Sequence, residues 1–187
     1  GRFCDTYPER VKDLVFIQIA PPSREDIGSY QQIRSTLEQK TGQINGALSD
    51  VDLVPVHYVN QGYTGAQLFG FYRASKIGLV TPLRDGMNLV AKEYVAAQDP
   101  DDPGVLILSR FAGAALQLKD ALLVNPHSPD DLSHNIRLAL DMPLEERRKR
   151  WEKLIVSVRD ENVQGWTENF IGDLEAIRRP VAEGAAG

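Results

Sequence analysis

Cysteine is nearly absent from this sequence: Cys4 stands alone, so no intrachain disulfide can form, and zinc sites of the Cys4 or Cys2His2 type are excluded. Cys4 also has no histidine or basic cluster near it in the chain to activate it as a nucleophile. The three histidines, His57, His127 and His134, are scattered at spacings that fit no helical or finger-type metal site. No run approaches the roughly 20 apolar residues that a membrane-spanning helix needs, and no signal-peptide pattern is present, so a cytoplasmic protein with no membrane partner is expected. Neither a dinucleotide fingerprint nor a P-loop occurs. Positive charge is also short, with a formal net charge of −5, and the only dense basic run is Arg147-Arg148-Lys149-Arg150. Glu145, Glu146 and Glu152 flank it, which reads as a solvated helix face and argues against a nucleic-acid partner.

What remains is the composition of an ordinary globular domain, 187 residues with 42% hydrophobic and 25% charged, enough for one core. Val15–Ala20, closed by Pro21-Pro22, predicts a strand, with Val11 and Leu14 leading into it. Helix is expected from Ser29 to Ile44 and strand over Leu53–Val59. Thr64 should cap a short helix with Leu68, Phe69, Phe71 and Tyr72 on its apolar face. Ile77–Val80 reads as a strand buried on both faces, followed by helix from Asn88 to Gln98. Val105–Leu108 and Ala121–Val124 are further strands, with a short helix between them from Gly113 to Leu118. Ser128-Pro129-Asp130-Asp131 is an N-terminal helix signature for a helix to Leu140. A long helical stretch from Pro143 should break near Gly165. Short connectors between alternating strands and helices predict an α/β domain, a Rossmann-like parallel sheet with helices on both faces, followed by C-terminal helices. The expected division is 1–142 for the Rossmann-like domain, 143–180 for the C-terminal helices and 181–187 for a mobile tail. The chain opens Gly1-Arg2-Phe3, without methionine and like the end of a helix, which predicts the C-terminal part of a longer protein.

In such sheets ligands bind beyond the carboxyl ends of the strands, so residues just after strands carry the information. Leu83-Arg84-Asp85-Gly86-Met87-Asn88 lies there. Asn88 as N-cap would leave the amides of Leu89, Val90 and Ala91 facing outward at the positive end of a helix dipole, which suits a phosphate. Asp85 suits paired sugar hydroxyls, Gly86 permits close approach of a ligand, and Glu93 could accept hydrogen bonds from a ribose diol. A capped βα-turn with a surface ion pair fits the same pattern. Arg24 could pair with a phosphate or be a plain surface residue. Gly62-Tyr63-Thr64-Gly65 could cup a base. Ser109–Ala115 places small residues where either close backbone packing or a ligand loop would want them. Trp151 and Trp166 read as core anchors.

From Thr81 to Tyr94 the sequence, TPLRDGMNLVAKEY, resembles the bacterial trehalose-6-phosphate synthases, the UDP-forming retaining glycosyltransferases. Gln18–Arg24, Gly42–Gly46, Leu108–Ala115 and Val124–Pro126 resemble segments of the same family in the same order, so the likeness extends over about Phe3 to Arg178. The resemblance implies a GT-B fold, with two Rossmann-like domains facing across a cleft, of which this chain would be the C-terminal, nucleotide-sugar lobe. It implies that Leu89, Val90, Ala91, Lys92 and Glu93 hold UDP-glucose, with Glu93 on the ribose. Asp85, with Gly86, Met87 and Asn88, would grip the donor glucose, and Asp85 is the catalytic candidate. Leu68 and Tyr63 match positions near the uridine, where the family often has phenylalanine in place of Tyr63. Arg24 matches an arginine on the phosphate of the acceptor, glucose 6-phosphate.

In the family an arginine and a lysine for the diphosphate lie upstream of Gly1, and most acceptor contacts belong to the N-terminal domain. This chain is therefore expected to fold as half an enzyme, completed by that domain, and the full-length protein is expected to be a homo-oligomer. The reaction implied is transfer of glucose from UDP-glucose to glucose 6-phosphate by a front-face route, without an enzymic nucleophile, metal or cofactor. Two alternatives stay open: a non-catalytic regulatory or assembly module on the same fold, and a pseudo-glycosyltransferase.

Overall fold

The computed structural model describes residues 1–21, 28–50, 52–161 and 163–178. Among the described residues five strands, parallel within each sheet, carry the fold: β1 Phe16–Ile19, β2 Val56–Val59, β3 Ile77–Val80, β4 Val105–Ser109 and β5 Leu122–Val124. They form two sheets, β1-β2 and β3-β4-β5. Their crossovers are helical, through α2 Gly28–Leu48, α3 Gly65–Ala74 and α4 Leu89–Ala97, with a 3-10 turn at Gly113–Leu116 between β4 and β5. A short α1, Arg2–Thr6, precedes β1, and α5 Pro129–Asp141, α6 Leu144–Asp160 and α7 Val163–Arg178 follow β5.

β4 is the central strand of its sheet, and all five of its residues are buried, as expected for a parallel strand covered on both faces. Its alternate residues feed two cores. Leu106 and Leu108 join Ala91, Tyr94 and Val95 of α4, while Val105 and Ile107 join Val124 and Ala139 of α5. β3 is buried at Gly78 and Val80 and half-buried at Ile77 and Leu79, and among the described residues β4 is its one paired neighbour.

Helix ends follow the local chemistry. Ser128 accepts from the Asp131 amide, with Pro129 next and Asp130 and Asp131 in the first turn, so α5 begins where the sequence signature puts it. Thr64 and Gln67 close a reciprocal capping box on α3. Other expectations need correction. Val11 is buried in a 3-10 turn over Pro8–Asp13, ahead of the strand, and α2 runs four residues past Ile44. β2 begins at Val56, and Leu53 instead makes an isolated bridge with Asp50. Phe69 is exposed, because α3 is covered along only one narrow stripe. The long C-terminal helix breaks after Asp160, and Gly165 lies inside α7. The tail 181–187 lies outside the described residues, as does the side chain of Trp166.

The basic run serves the fold. Arg147 binds Asp102 and the Pro103 carbonyl, Arg148 the Asp101 carbonyl, and Arg150 Glu146 and the Asp120 carbonyl. Trp151 donates from Nε1 to the Val95 carbonyl at 2.9 Å and packs on the α4 core, the anchoring role expected of it. Together these contacts fasten α6 across α4 and the loop before β4.

Asn45 in α2 holds the outer edge of β2. Its Nδ2 donates to the Val56 carbonyl at 2.8 Å, and its Oδ1 accepts from the Val56 amide at 3.1 Å. Asn45→Ala would leave both backbone groups unpaired, so a loss of about 1–2 kcal/mol is expected. At this chain length that is a fall in Tm of about 2–8 °C, measurable by calorimetry.

Candidate functional site

The carboxyl ends of β1, β2 and β3 open onto one edge of the molecule, and the residues after each strand gather there. Helix α4 starts at this edge. Asn88, at φ 80°, is the only described non-glycine residue in the left-handed region, a conformation asparagine tolerates better than most. Its Oδ1 accepts from the Ala91 amide at 2.9 Å. The cap uses the Ala91 N–H, so of the three amides expected to face outward only those of Leu89 and Val90 remain at the helix start. Ala91 itself is fully buried, so its contribution is to position the turn.

The preceding loop is organised by Asp85, whose Oδ1 accepts from the Met87 amide at 3.1 Å and Oδ2 from the Asn88 side-chain amide at 3.0 Å. These two donors, the backbone amide first, hold the Asp85 carboxyl below the usual carboxylate range. Among the described residues Arg84 makes no ion pair with Asp85, so the surface-pair reading of this turn does not hold. A lowered native value means that Asp85 stabilises the loop at neutral pH. That contribution is lost as pH falls below about 3.9 and through the lowered value. Titration followed at the Met87 amide by NMR should give a midpoint below about 3.9, and a midpoint at or above it would contradict the assignment.

The loop leans on its neighbour. Asp85 N donates to the Phe111 carbonyl, Gly113 N to the Asp85 carbonyl, and Ala114 N to the Met87 carbonyl at 2.7 Å. A Cβ at Gly113 would lie 2.1 Å from the Gly86 carbonyl oxygen. The small residues of 109–115 thus serve close backbone packing. Gly86 differs: a Cβ there meets nothing within 4 Å among the described residues, so internal packing does not require the glycine.

Beside the start of α4 lies a cavity of about 450 Å³, whose lining includes Pro21, Tyr63, Leu68, Val90 and Glu93. The Tyr63 ring packs edge-on against Phe71, with centroids 5.1 Å apart, and its hydroxyl accepts from Gln61 Nε2 at 2.7 Å. Glu93 is half-buried, and its Oε2 receives a long hydrogen bond, 3.5 Å, from the Tyr72 hydroxyl. Burial, and then the Glu93 charge, raise the Tyr72 phenol above its ordinary value, so Tyr72 remains a donor throughout the physiological range. Tyr72 has no local signal as a site residue, because it lies 21 residues before Glu93 on an apolar helix face. Lys92 turns away from the cavity, and its Nζ reaches the Glu161 carbonyl at the end of α6 at 3.4 Å. Met87 and Leu89 are exposed at the edge. Arg24 lies outside the described residues.

Two parallel sheets flanked by helices, with ligand-suited groups collected beyond the carboxyl ends of their strands, define an α/β lobe of the Rossmann-like class. The chain belongs to glycosyltransferase family 20, whose model matches residues 1–176. The trehalose-6-phosphate synthase of Sinorhizobium fredii is 48% identical over 175 residues, 94% of this chain and 38% of the relative. Among solved structures, a UDP-forming alpha,alpha-trehalose-phosphate synthase from Burkholderia xenovorans, in complex with glucose-6-phosphate, superposes with a TM-score of 0.88 at 48% identity. The match covers 93% of this chain and 39% of that one. An E. coli structure from the same family, bound with UDP-2-fluoro glucose, gives a TM-score of 0.88 at 46% identity over 92% of this chain and 38% of its own. The chain thus spans about two fifths of the length of the relatives it matches.

Proposed function

We propose that this chain is the donor-binding lobe of a retaining glycosyltransferase that moves glucose from UDP-glucose to glucose 6-phosphate, giving trehalose 6-phosphate and UDP. One observation carries the reading: the capped start of α4, the Glu93 carboxylate and the apolar cavity share a single edge beyond the strands. Uridine would lie in the cavity mouth against Leu68 and Tyr63, with the ribose hydroxyls on Glu93. The diphosphate would face the amides of Leu89 and Val90. Asp85, with Gly86, Met87 and Asn88, would receive the glucose. Lys92 and Ala91 hold the segment in place, and Arg24 is assigned to the acceptor phosphate.

These residues suit a reaction without an enzymic nucleophile. The bond from the anomeric carbon to the diphosphate oxygen breaks, and negative charge grows on the departing UDP. Helix-start amides stabilise that charge without reorganising. The acceptor hydroxyl attacks the same face and passes its proton to the leaving phosphate oxygen, which retains the anomeric configuration. The ligands named for the Burkholderia xenovorans and E. coli relatives, glucose-6-phosphate and UDP-2-fluoro glucose, fit this pair of substrates. We further propose that 1–142 forms the nucleotide lobe, that 143–180 forms helices packed on it, that 181–187 is a mobile tail, and that the full-length protein is a cytoplasmic homo-oligomer.

The 187-residue chain alone should release no UDP from UDP-glucose and glucose 6-phosphate, while the full-length protein does so. Turnover by the isolated chain would contradict its assignment as one lobe of the site. Preference of the full-length protein for GDP-glucose or an activated cyclitol over UDP-glucose would move the reading to a related reaction.

A further inference from the structure

Beyond its last ladder bond the β1-β2 pair is held together by a side chain. Ala20 N donates to the Val59 carbonyl at 2.9 Å, and in a continuing parallel ladder the Ala20 carbonyl would then accept from the amide of residue 61. Asn60 takes that place. Its Nδ2 donates to the Ala20 carbonyl at 2.9 Å, so the pairing runs one link further while the β2 backbone is free to leave the sheet. Gly62 and Tyr63, just after Asn60, line the cavity, and so does Pro21, next after Ala20. Asn60 therefore joins two of the segments that shape the proposed nucleotide pocket.

The other end of the Asn60 amide faces a charge. Its Oδ1 lies 2.9 to 3.0 Å from the three guanidinium nitrogens of Arg34 on α2. This orientation is dictated by the surroundings, because a carbonyl can only accept and a guanidinium can only donate. An acceptor facing a cation is held more firmly than a neutral pair. Glu38, one turn further on, accepts from Arg34 Nε at 2.8 Å and orients the guanidinium. Arg34 stands about three turns, or about 16 Å, before Asn45 on the same helix. From Val56 to Asn60 the chain covers about 13 Å. One helix thus grips β2 at both ends, through Asn45 at Val56 and through Arg34 and Asn60 at the exit. Only the second grip lies at the carboxyl end of the strand, where the site residues gather.

We propose that Arg34 and Asn60 are positioning residues for the nucleotide: they fix Pro21 and the Gly62-Tyr63 segment against each other and so set the shape of the pocket that receives the base. Neither side chain is among the described residues that line the cavity, so both act through the backbone they hold. The identity of the ligand rests on the donor reading above, while the coupling of Asn60 to the pocket does not.

In the full-length protein, Asn60→Ala should raise KM for UDP-glucose by about tenfold and leave kcat within about twofold, because the base is bound alike in ground and transition states. Asn45→Ala is the matched control. It loosens the same helix from the same strand at the end away from the site, and should leave KM unchanged. Asn60→Asp keeps an acceptor for Arg34 but has no donor for Ala20 at neutral pH, so it should raise KM as alanine does. If Asn60→Ala fails to fold, Arg34→Met removes the charge with a good helix former and should raise KM by a smaller factor. Wild-type KM in the folded variants at 34 and 60, or an equal rise in Asn45→Ala, overturns the proposal. A second readout needs no ligand: in this chain, NMR order parameters at Gly62 and Tyr63 should fall in Asn60→Ala and hold in Asn45→Ala. Order parameters unchanged in both overturn it as well. Lost affinity in Glu93→Ala beside wild-type KM in Asn60→Ala would keep the donor reading and remove the positioning role. A wild-type protein without affinity for UDP-glucose would remove the donor reading, and the order parameters would then decide whether Asn60 holds the pocket.

Discussion

Glu93→Ala in the full-length protein should weaken UDP-glucose binding by about 10²–10⁴-fold. A carboxylate accepting two hydroxyl hydrogen bonds contributes about 1.5–3 kcal/mol for each, and 1.4 kcal/mol is a factor of ten. On the proposed placement, removing it would also leave the two ribose hydroxyls desolvated beside Leu68 and Val90, which line the same cavity. The fold should lose little, because the only hydrogen bond to the Glu93 carboxylate among the described residues is the long one from Tyr72. Two companion variants give the result its meaning. Glu93→Gln keeps one acceptor and should fall between wild type and alanine. Tyr72→Phe removes only the donor that orients Oε2, and should cost less than about fivefold, or 1 kcal/mol. Calorimetric titration with UDP-glucose measures all three, and wild-type affinity in Glu93→Ala would remove the residue from the site.

Much of this arrangement is legible in the sequence, and the exceptions have physical causes. β4 is plain because a short apolar run bounded by turn residues fits a strand covered on both faces, whereas the same pattern in β3 leaves Ile77 and Leu79 half-buried, since coverage depends on distant neighbours. The starts of α4 and α5 are plain because a cap and its first turn are local chemistry. The capping role of Asn88 follows from its place before the helix, but the commitment of the Ala91 amide to that cap is a matter of side-chain geometry. Asn45 looks like an ordinary residue near a helix end, and its hook on Val56 depends on a contact made 11 residues away. The basic run reads as a solvated face because spacing cannot reveal that Arg147 and Arg148 reach carbonyls more than 40 residues earlier. The division into two sheets is invisible for the same reason, since strand pairing is long-range and each strand taken alone is well formed.

Gly78→Ala should lower stability by about 1–3 kcal/mol, and Gly78→Val by more, because both force the ring of Tyr94 out of its place. Tyr94 is 2% exposed and lies between β3 and the rest of α4, with its hydroxyl donating to the Ser75 carbonyl at 3.0 Å. A Cβ at Gly78 would stand 2.7 Å from the ring carbons Cγ and Cδ2, near the root of the side chain where no flexible end can give way. Gly104 fixes the other end, where a Cβ would lie 2.1 Å from the Tyr94 hydroxyl and 2.7 Å from the Ser75 carbonyl. The ring is therefore held between two glycines, and Glu93 precedes it on the helix. Displacing Tyr94 must tilt α4, so Gly78→Ala should weaken UDP-glucose binding in the full-length protein as well as lower Tm. The two effects can be separated with Tyr94→Ala, which deletes the clashing ring. In the Gly78→Ala, Tyr94→Ala double variant the alanine at 78 should add almost nothing to the loss from Tyr94→Ala alone, an interaction of about 1–3 kcal/mol in a double-mutant cycle. Strict additivity by denaturant unfolding would show that the glycine is needed for some reason other than the ring, and the link from β3 through Tyr94 to the donor carboxylate would fail.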